Sequence, residues 1–244
     1  MKVLALDIST NAGWALLEKE EHGMALLGPH GLIKKEKRAT EYGKYPRSYR
    51  LAAKAIADRL IFLVQTHRPD VVVIEETNQG KNRYTQKLLE WIHLYVQLAW
   101  DSNDVGWVIE GPSDDPPGFN RNMAWVQPDL VYISTGTWKQ VLGLKKPKDA
   151  KKNDQLLKLA KSAALARFDE GTQGYRRILN EGKRRLGIKG KWNKKMLAVN
   201  YVNAAYDLNW KLKDNDVAEA ICLGLAFIDG ASHCDGNPSG KEIE

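Results

Sequence analysis

Residues Val71, Val72, Val73 and Ile74 form an unbroken β-branched run, held between Pro69-Asp70 on one side and Glu75-Glu76 on the other. β-Branched side chains favour extended backbone. A continuous apolar run without polar alternation suits a strand buried on both faces, as in sheets covered by helices on either side. The first residues repeat the pattern: Lys2-Val3-Leu4-Ala5-Leu6 is a short apolar run that ends at Asp7. Two interior strands, each ending on a carboxylate, are therefore the frame to which the rest of the chain must be fitted.

Between them, Trp14 to Leu17, Met24 to Leu27 and Gly31 to Lys35 are short extended patterns separated by Gly and charged turns, which predicts an antiparallel meander with the first strand. Leu51, Ala52, Ala55, Ile56, Leu60, Leu63 and Val64 recur at helical spacing over 47–66, stopped by His67-Arg68-Pro69. A second helix is expected over 83–100. The stretch 101–128 holds four Pro, several Gly and little periodicity, so it reads as a long loop or insertion. Leu130 to Ser134 is the fifth strand and Thr137 to Leu142 a short helix. A basic loop, 145–152, follows, and residues 154–168 are helical. The segment 170–195 is Gly-broken and strongly basic, and helical patterns occupy about 196–212 and 216–229. This order predicts a mixed α/β sheet covered by helices. The expected organisation is one domain over 1–230 with insertions at about 101–128 and 169–200, and a polar tail over 231–244.

Carboxylates stand at the ends of three apolar elements: Asp7 after the first strand, Glu75 after the fourth, and Asp216 with Glu219 opening the last helix. Spacing of i and i+3 puts the last two on one helix face. Hydrolysis of a phosphodiester with divalent ions needs such a cluster. Hard cations take oxygen ligands and keep several waters, and two ions can activate an attacking water and stabilise the departing oxygen. Each acid also has a plainer reading, as a turn residue, a solvated strand end, or, for Asp216-Val217-Ala218-Glu219, a capping box. The combination in one chain order is what favours the site.

Charge points the same way. Lys and Arg number 37 against 30 Asp and Glu, a net charge of +7 that favours polyanionic partners. From Arg176 to Lys195 there are nine basic residues and one acid, Glu181, a run expected to contact phosphate given the acidic site. The loop with Lys145, Lys146, Lys148, Lys151 and Lys152 follows the fifth strand, and Lys81 and Arg83 follow Glu75; these seven are the candidate contacts to a phosphate backbone. Trp192 reads as an anchor to the core, and Trp91 as core. The five histidines and the two cysteines form no metal-ligand spacing, and Cys222 lies in an apolar helical pattern. The N-terminus meets Asp7 too early for a secretory signal, no apolar run is long enough to span a membrane, and a cytoplasmic location is expected.

The run Val3-Leu4-Ala5-Leu6-Asp7-Ile8-Ser9-Thr10 with Gly13-Trp14 resembles the opening of RuvC-type Holliday junction resolvases. Val73-Ile74-Glu75 resembles their second acidic strand. Asp216-Val217-Ala218-Glu219-Ala220 resembles their closing acidic helix start, with Glu where Asp is more usual. Tyr132-Ile133-Ser134 through Thr137-Trp138-Lys139 and the Lys-rich loop resemble the fifth strand and its basic segment. The resemblance implies a ribonuclease H-like fold: a five-stranded mixed sheet, three strands antiparallel and the others parallel, with helices on both faces. It implies an endodeoxyribonuclease, a homodimer, Mg²⁺ or Mn²⁺ as cofactor with two ions per site, and paired nicks across a four-way junction. Asp7, Glu75, Asp216 and Glu219 would be metal ligands, with Asp214 as a nearby substitute. The chain departs from the family after the second acid, where an aromatic is common: here Asn78 stands in that region and the nearest aromatic is Tyr84. Actin-like and sugar-kinase-type ATPases open with a similar strand, but they carry Gly-rich nucleotide loops in their second half, and none occurs between 196 and 229. An RNA–DNA hybrid nuclease and a junction binder without activity share the same acids.

Overall fold

β1 (Lys2–Asp7) runs through the middle of a five-stranded sheet, paired antiparallel with β2 (Asn11–Glu18) and parallel with β4 (Val71–Glu75). Its neighbours extend to β3 (Leu26–Lys34) on one edge and β7 (Asp129–Ile133) on the other, giving the order β3-β2-β1-β4-β7. The computed structural model describes residues 1–9, 11–20, 25–34, 45–76, 83–110, 123–145, 148–186 and 195–230. The two parallel strands are those the apolar runs predict, and in the meander the runs expected over 24–27 and 31–35 are joined in one strand, β3, giving three strands in all. Asp70 ties the starts of β1 and β4 together: its carboxylate accepts from the Lys2 N–H at 2.6 Å, and its own N–H donates to the Lys2 carbonyl at 2.9 Å.

Helices α1 (Arg47–His67) and α2 (Arg83–Asp101) cover one face. There Leu4, Leu6, Val72 and Ile74 pack with Ile56, Leu60, Val64, Leu88, Ile92 and Val96 in one buried cluster. Helix α7 (Asn215–Ile228) packs on the other face. It is buried almost all round, so Gly224 is placed where a Cβ would meet Leu17 Cδ1 at 2.2 Å and the Ala5 Cβ at 2.9 Å. Helix α3 (Thr135–Val141) and α6 (Met196–Tyr206) from Ala198 onward complete this unit, which among the described residues comprises 1–143 and 198–230.

A second unit, 144–197, contains α4 (Lys148–Leu165) and α5 (Gln173–Arg185), packed on each other through Ala160, Ala164 and Tyr175. The expected insertion at 169–200 falls largely within it. Two further differences from the sequence expectation stand out. Within 101–128 lies a hairpin, β5 (Trp107–Glu110) with β6 (Met123–Val126), whose four-residue strands are too short for a period to show beside the Pro-rich stretch. The basic stretch over 145–152 is mostly helix: α4 starts at Lys148, directly after Pro147, because lysine is a good helix former whatever its charge. Among the described residues no helix is long and apolar enough to cross a membrane.

Candidate active site

Strand alternation decides where the first two acids point. In β1, Leu4 and Leu6 face the α1–α2 core, so Val3, Ala5 and Asp7 face α7. In β4, Val72 and Ile74 take the core face, which leaves Glu75 on the α7 side. The parallel register pairs Leu6 with Ile74. One step further along both strands, Asp7 and Glu75 end neighbouring strands on the same face.

The other two acids arrive with α7. Gly13, opposite Asp7 in the β1–β2 ladder, makes room for them: a Cβ at this position would lie 1.9 Å from the Asp216 carbonyl oxygen. Only a residue without a side chain lets the first helical turn come down onto the strand beside Asp7. As a result Asp7, Asp216 and Glu219 offer oxygen atoms that all lie within 4.8 Å of one another. Asp7 is buried, and the other two are half-buried. Asn215, only 2% exposed, donates through its side-chain amide to Asp216 Oδ1 at 3.1 Å and to Glu219 Oε2 at 3.0 Å, so one NH₂ group holds both carboxylates in register.

Glu75 lies outside that tight trio but within electrostatic reach of Glu219. Burial pushes its carboxyl above the usual range, and the negative charge of Glu219 adds to the rise. The Thr135 hydroxyl, which donates to Glu75 Oε1, and the Lys139 ammonium oppose it. Trp138, fully buried at the same place, adds a smaller effect of the same sign. Its indole N–H makes no hydrogen bond of normal geometry, so its influence on Glu75 is that of a nearby dipole and not of a full bond. Thr135 reaches Glu75 because Ser134 caps α3, its hydroxyl accepting from the Thr137 N–H at 3.2 Å directly after β7 ends.

All four acids picked out in the sequence thus stand at one end of the sheet on one face, three of them in a single cluster. The capping-box alternative for Asp216 does not describe the helix: α7 begins at Asn215, so Asp216 stands inside the first turn. Asp214 belongs to the preceding 3₁₀ turn (Leu212–Asp214), where its carboxylate accepts from the Lys211 N–H at 2.9 Å. Of the candidate DNA contacts, Lys145 and Lys152 are exposed. Arg83 is in α2 and Lys148 and Lys151 are in α4, their side chains outside the described set, while Lys81, Lys146, Asn78 and Trp192 lie outside the described residues altogether. Tyr84 opens α2, its side chain likewise undescribed. Cys222 is fully buried, with its thiol pushed up by burial.

Residue-by-residue reading did not single out Asn215, Thr135 or Lys139. Asn and Thr at helix starts have many ordinary uses, so only their partners reveal them. Gly13 carried a readable signal: a glycine inside a strand marks a close approach of another backbone.

As chemistry, the site is a set of carboxylate oxygens converging with the Lys139 ammonium within electrostatic reach. That donor set fits a hard divalent cation such as Mg²⁺ or Mn²⁺, which prefers oxygen ligands. A bound cation would further offset the repulsion that Glu75 feels from Glu219.

A mixed sheet in this order, delivering acids to one end from its first strand, its fourth strand and a closing helix, is the ribonuclease H-like architecture. Within that class the fold is the one adopted by RuvC. T. thermophilus RuvC, solved in complex with Holliday junction substrate, matches at 13% identity over 94% of this chain and 94% of its own, with a TM-score of 0.52. The Thermus thermophilus RuvC structure matches over the same shares at 13% identity and a TM-score of 0.51. The yeast mitochondrial Holliday junction resolvase Ydc2 is similar at 12% identity over 93% of this chain and 77% of its own, with a TM-score of 0.45. No protein-family model matches the chain, and no curated protein matches it in sequence. At these identities the likeness is one of fold.

Proposed function

We propose that this chain is a divalent-metal-dependent, structure-selective DNA endonuclease that resolves four-way junctions, or related branched DNA, by paired nicking. The observation that carries the reading is the convergence of Asp7, Asp216 and Glu219 within 4.8 Å, beside Glu75, on a fold shared with RuvC. Asp7, Glu75, Asp216 and Glu219 would hold Mg²⁺ or Mn²⁺. When bound, the cations supply an activated water and stabilise the charge on the leaving 3′ oxygen. The protein's part is placement. Asp7 is fixed by backbone pairing on both sides of β1, and Asp216 and Glu219 are held at a common spacing by the Asn215 amide. Thr135 orients Glu75 by donating to it, and Lys139 brings positive charge to that side of the site, where a scissile phosphate must come. Two identical nicks on opposite strands of a junction require two such sites, which supports a homodimer as the working form.

The test is incubation of the protein with synthetic four-way, three-way and linear DNA of matched sequence, and with an RNA–DNA hybrid, each with Mg²⁺ and with EDTA. A symmetric pair of Mg²⁺-dependent nicks on the four-way substrate is expected. Asp7→Asn should lower that cleavage by on the order of a thousandfold, about 4 kcal/mol of transition-state stabilisation, while leaving junction binding intact. Cleavage of the hybrid alone would move the activity to another substrate class. An Asp7→Asn protein that cuts as well as its parent would remove Asp7 from the site.

A further inference from the structure

The net charge of the chain hides a sharp division. Residues 144–197 hold 17 Lys and Arg against 5 Asp and Glu, a surplus of twelve. The unit that carries the four acids holds 20 against 25, a deficit of five. A polyanion approaching the acidic unit alone is therefore repelled by its overall field as well as by its site. The basic unit is built the opposite way. Helix α5 buries Tyr175 and sets Gly182 against Ala160, where a Cβ would lie 3.3 Å from the Ala160 Cβ. With that stripe turned inward, helical spacing turns Arg176, Arg177, Asn180 and Arg184 outward, and all four are exposed. Arg185 is paired with Glu181 one turn back, so it is not a member of this outer face. On α4, Lys152, Lys158 and Lys161 are exposed as well.

We infer that the α4–α5 unit is a duplex-binding module that supplies most of the chain's affinity for DNA, with Arg176, Arg177 and Arg184 of α5 as its phosphate contacts. This rests on the nuclease reading above for the choice of DNA. Three features favour a phosphate backbone as occupant. Planar guanidinium groups match phosphate oxygens in pairs. The outward face of α5 carries no apolar residue to insert into a lipid bilayer, which membrane-surface helices require. The unit's surplus of twelve basic residues is opposite in sign to a phosphate backbone, whose neutralisation drives binding through counterion release.

The experiment is a salt titration of binding to a four-way junction and to a linear duplex, both in EDTA, using the full-length chain. The variant R176Q/R177Q/R184Q is compared with K19Q/R50Q/R59Q, which removes the same charge from exposed positions on the acidic unit. Each lost duplex phosphate contact lowers the log–log salt slope by about 0.9. The α5 variant is expected to lose roughly 2.7 in slope on both substrates, with affinity down on the order of a hundredfold at moderate salt. The control is expected to keep its slope, and R176K/R177K/R184K to keep it too. Equal losses in the α5 variant and the control would overturn the inference by making net charge the cause. So would an unchanged slope in the α5 variant, or tighter binding of the parent to phosphatidylglycerol vesicles or to duplex RNA than to DNA. Full, α5-dependent binding by a parent that nicks no branched DNA would sink the nuclease reading and leave this one standing. Mg²⁺-dependent nicking with an α5-independent slope would do the reverse.

Discussion

On the α1–α2 face of the sheet, Leu4, Leu6, Val72 and Ile74 meet long aliphatic side chains from two helices. On the opposite face, Ala5 and Leu17 meet α7 through Gly224, and Gly13 admits the helix backbone itself. The first face buries large apolar area, the main favourable term in folding. The second also buries large side chains, Leu17 from the sheet and Ile221 and Leu223 from α7, but Gly13, Ala5 and Gly224 bring the helix unusually close, and it ends in a group of like charges that repel. Both faces bury apolar area, but only the second holds the acids and the close helix approach that places them, so substitutions on the two faces should fail in different ways.

The largest expected effect on stability belongs to the first face. Leu60 is 1% exposed in the α1 core, and Leu60→Ala should cost about 2–5 kcal/mol in urea unfolding. Nicking per folded molecule should stay at the parent's rate well below the melting temperature. If activity fell further than the folded fraction, the two faces would not be independent. Gly13→Ala should cost less stability, about 1–3 kcal/mol from overpacking, yet remove most of the cleavage, because α7 must lift Asp216 away from Asp7. A Gly13→Ala protein with parental nicking would show that the close approach is dispensable.

The smallest effect has the opposite sign. Glu75 has its carboxyl raised above the ordinary value of 4.5 by burial and by Glu219. Below that pH the group is protonated whether folded or not, and it contributes no pH dependence. As pH rises past 4.5 the unfolded chain ionises first while the folded protein retains its proton, so stability falls until the folded carboxyl has also ionised. Glu75→Gln should abolish that decline and stabilise the metal-free protein at neutral pH. Denaturant unfolding in EDTA at acidic and neutral pH would show it. A parent whose stability rises across that interval, with the Gln variant unchanged, would contradict the repulsion described for the site.

The interior strands were legible because β1 and β4 are unbroken apolar runs, and their terminal acids were legible because strand ends fix both position and face. The order Asp7, Glu75, Asp216, Glu219 then pointed to one cluster. The β5–β6 hairpin was not legible: Trp107-Val108-Ile109-Glu110 is only four residues, with Val108 and Ile109 both exposed, so no buried period marks it. Helix α5 was obscured by Gly174 and Gly182, which read as breaks, whereas Gly182 serves close packing on Ala160. The start of α4 was hidden by its charge, which suggested a loop. At the site, Asn215 and Thr135 emerged only from tertiary contacts, since nothing along the chain links them to the acids they hold.

The acids reach their common place from three stretches of chain, two early and one late in the order of synthesis. A nascent or prematurely terminated polypeptide that stops before Asn215 would already contain β1, β4 and the whole basic α4–α5 unit, but neither Asp216 nor Glu219. On the proposed reading, such a fragment would bind DNA without a complete site to cut it. Assembly of the acidic cluster is thus withheld until the segment carrying α7 has been translated and docked.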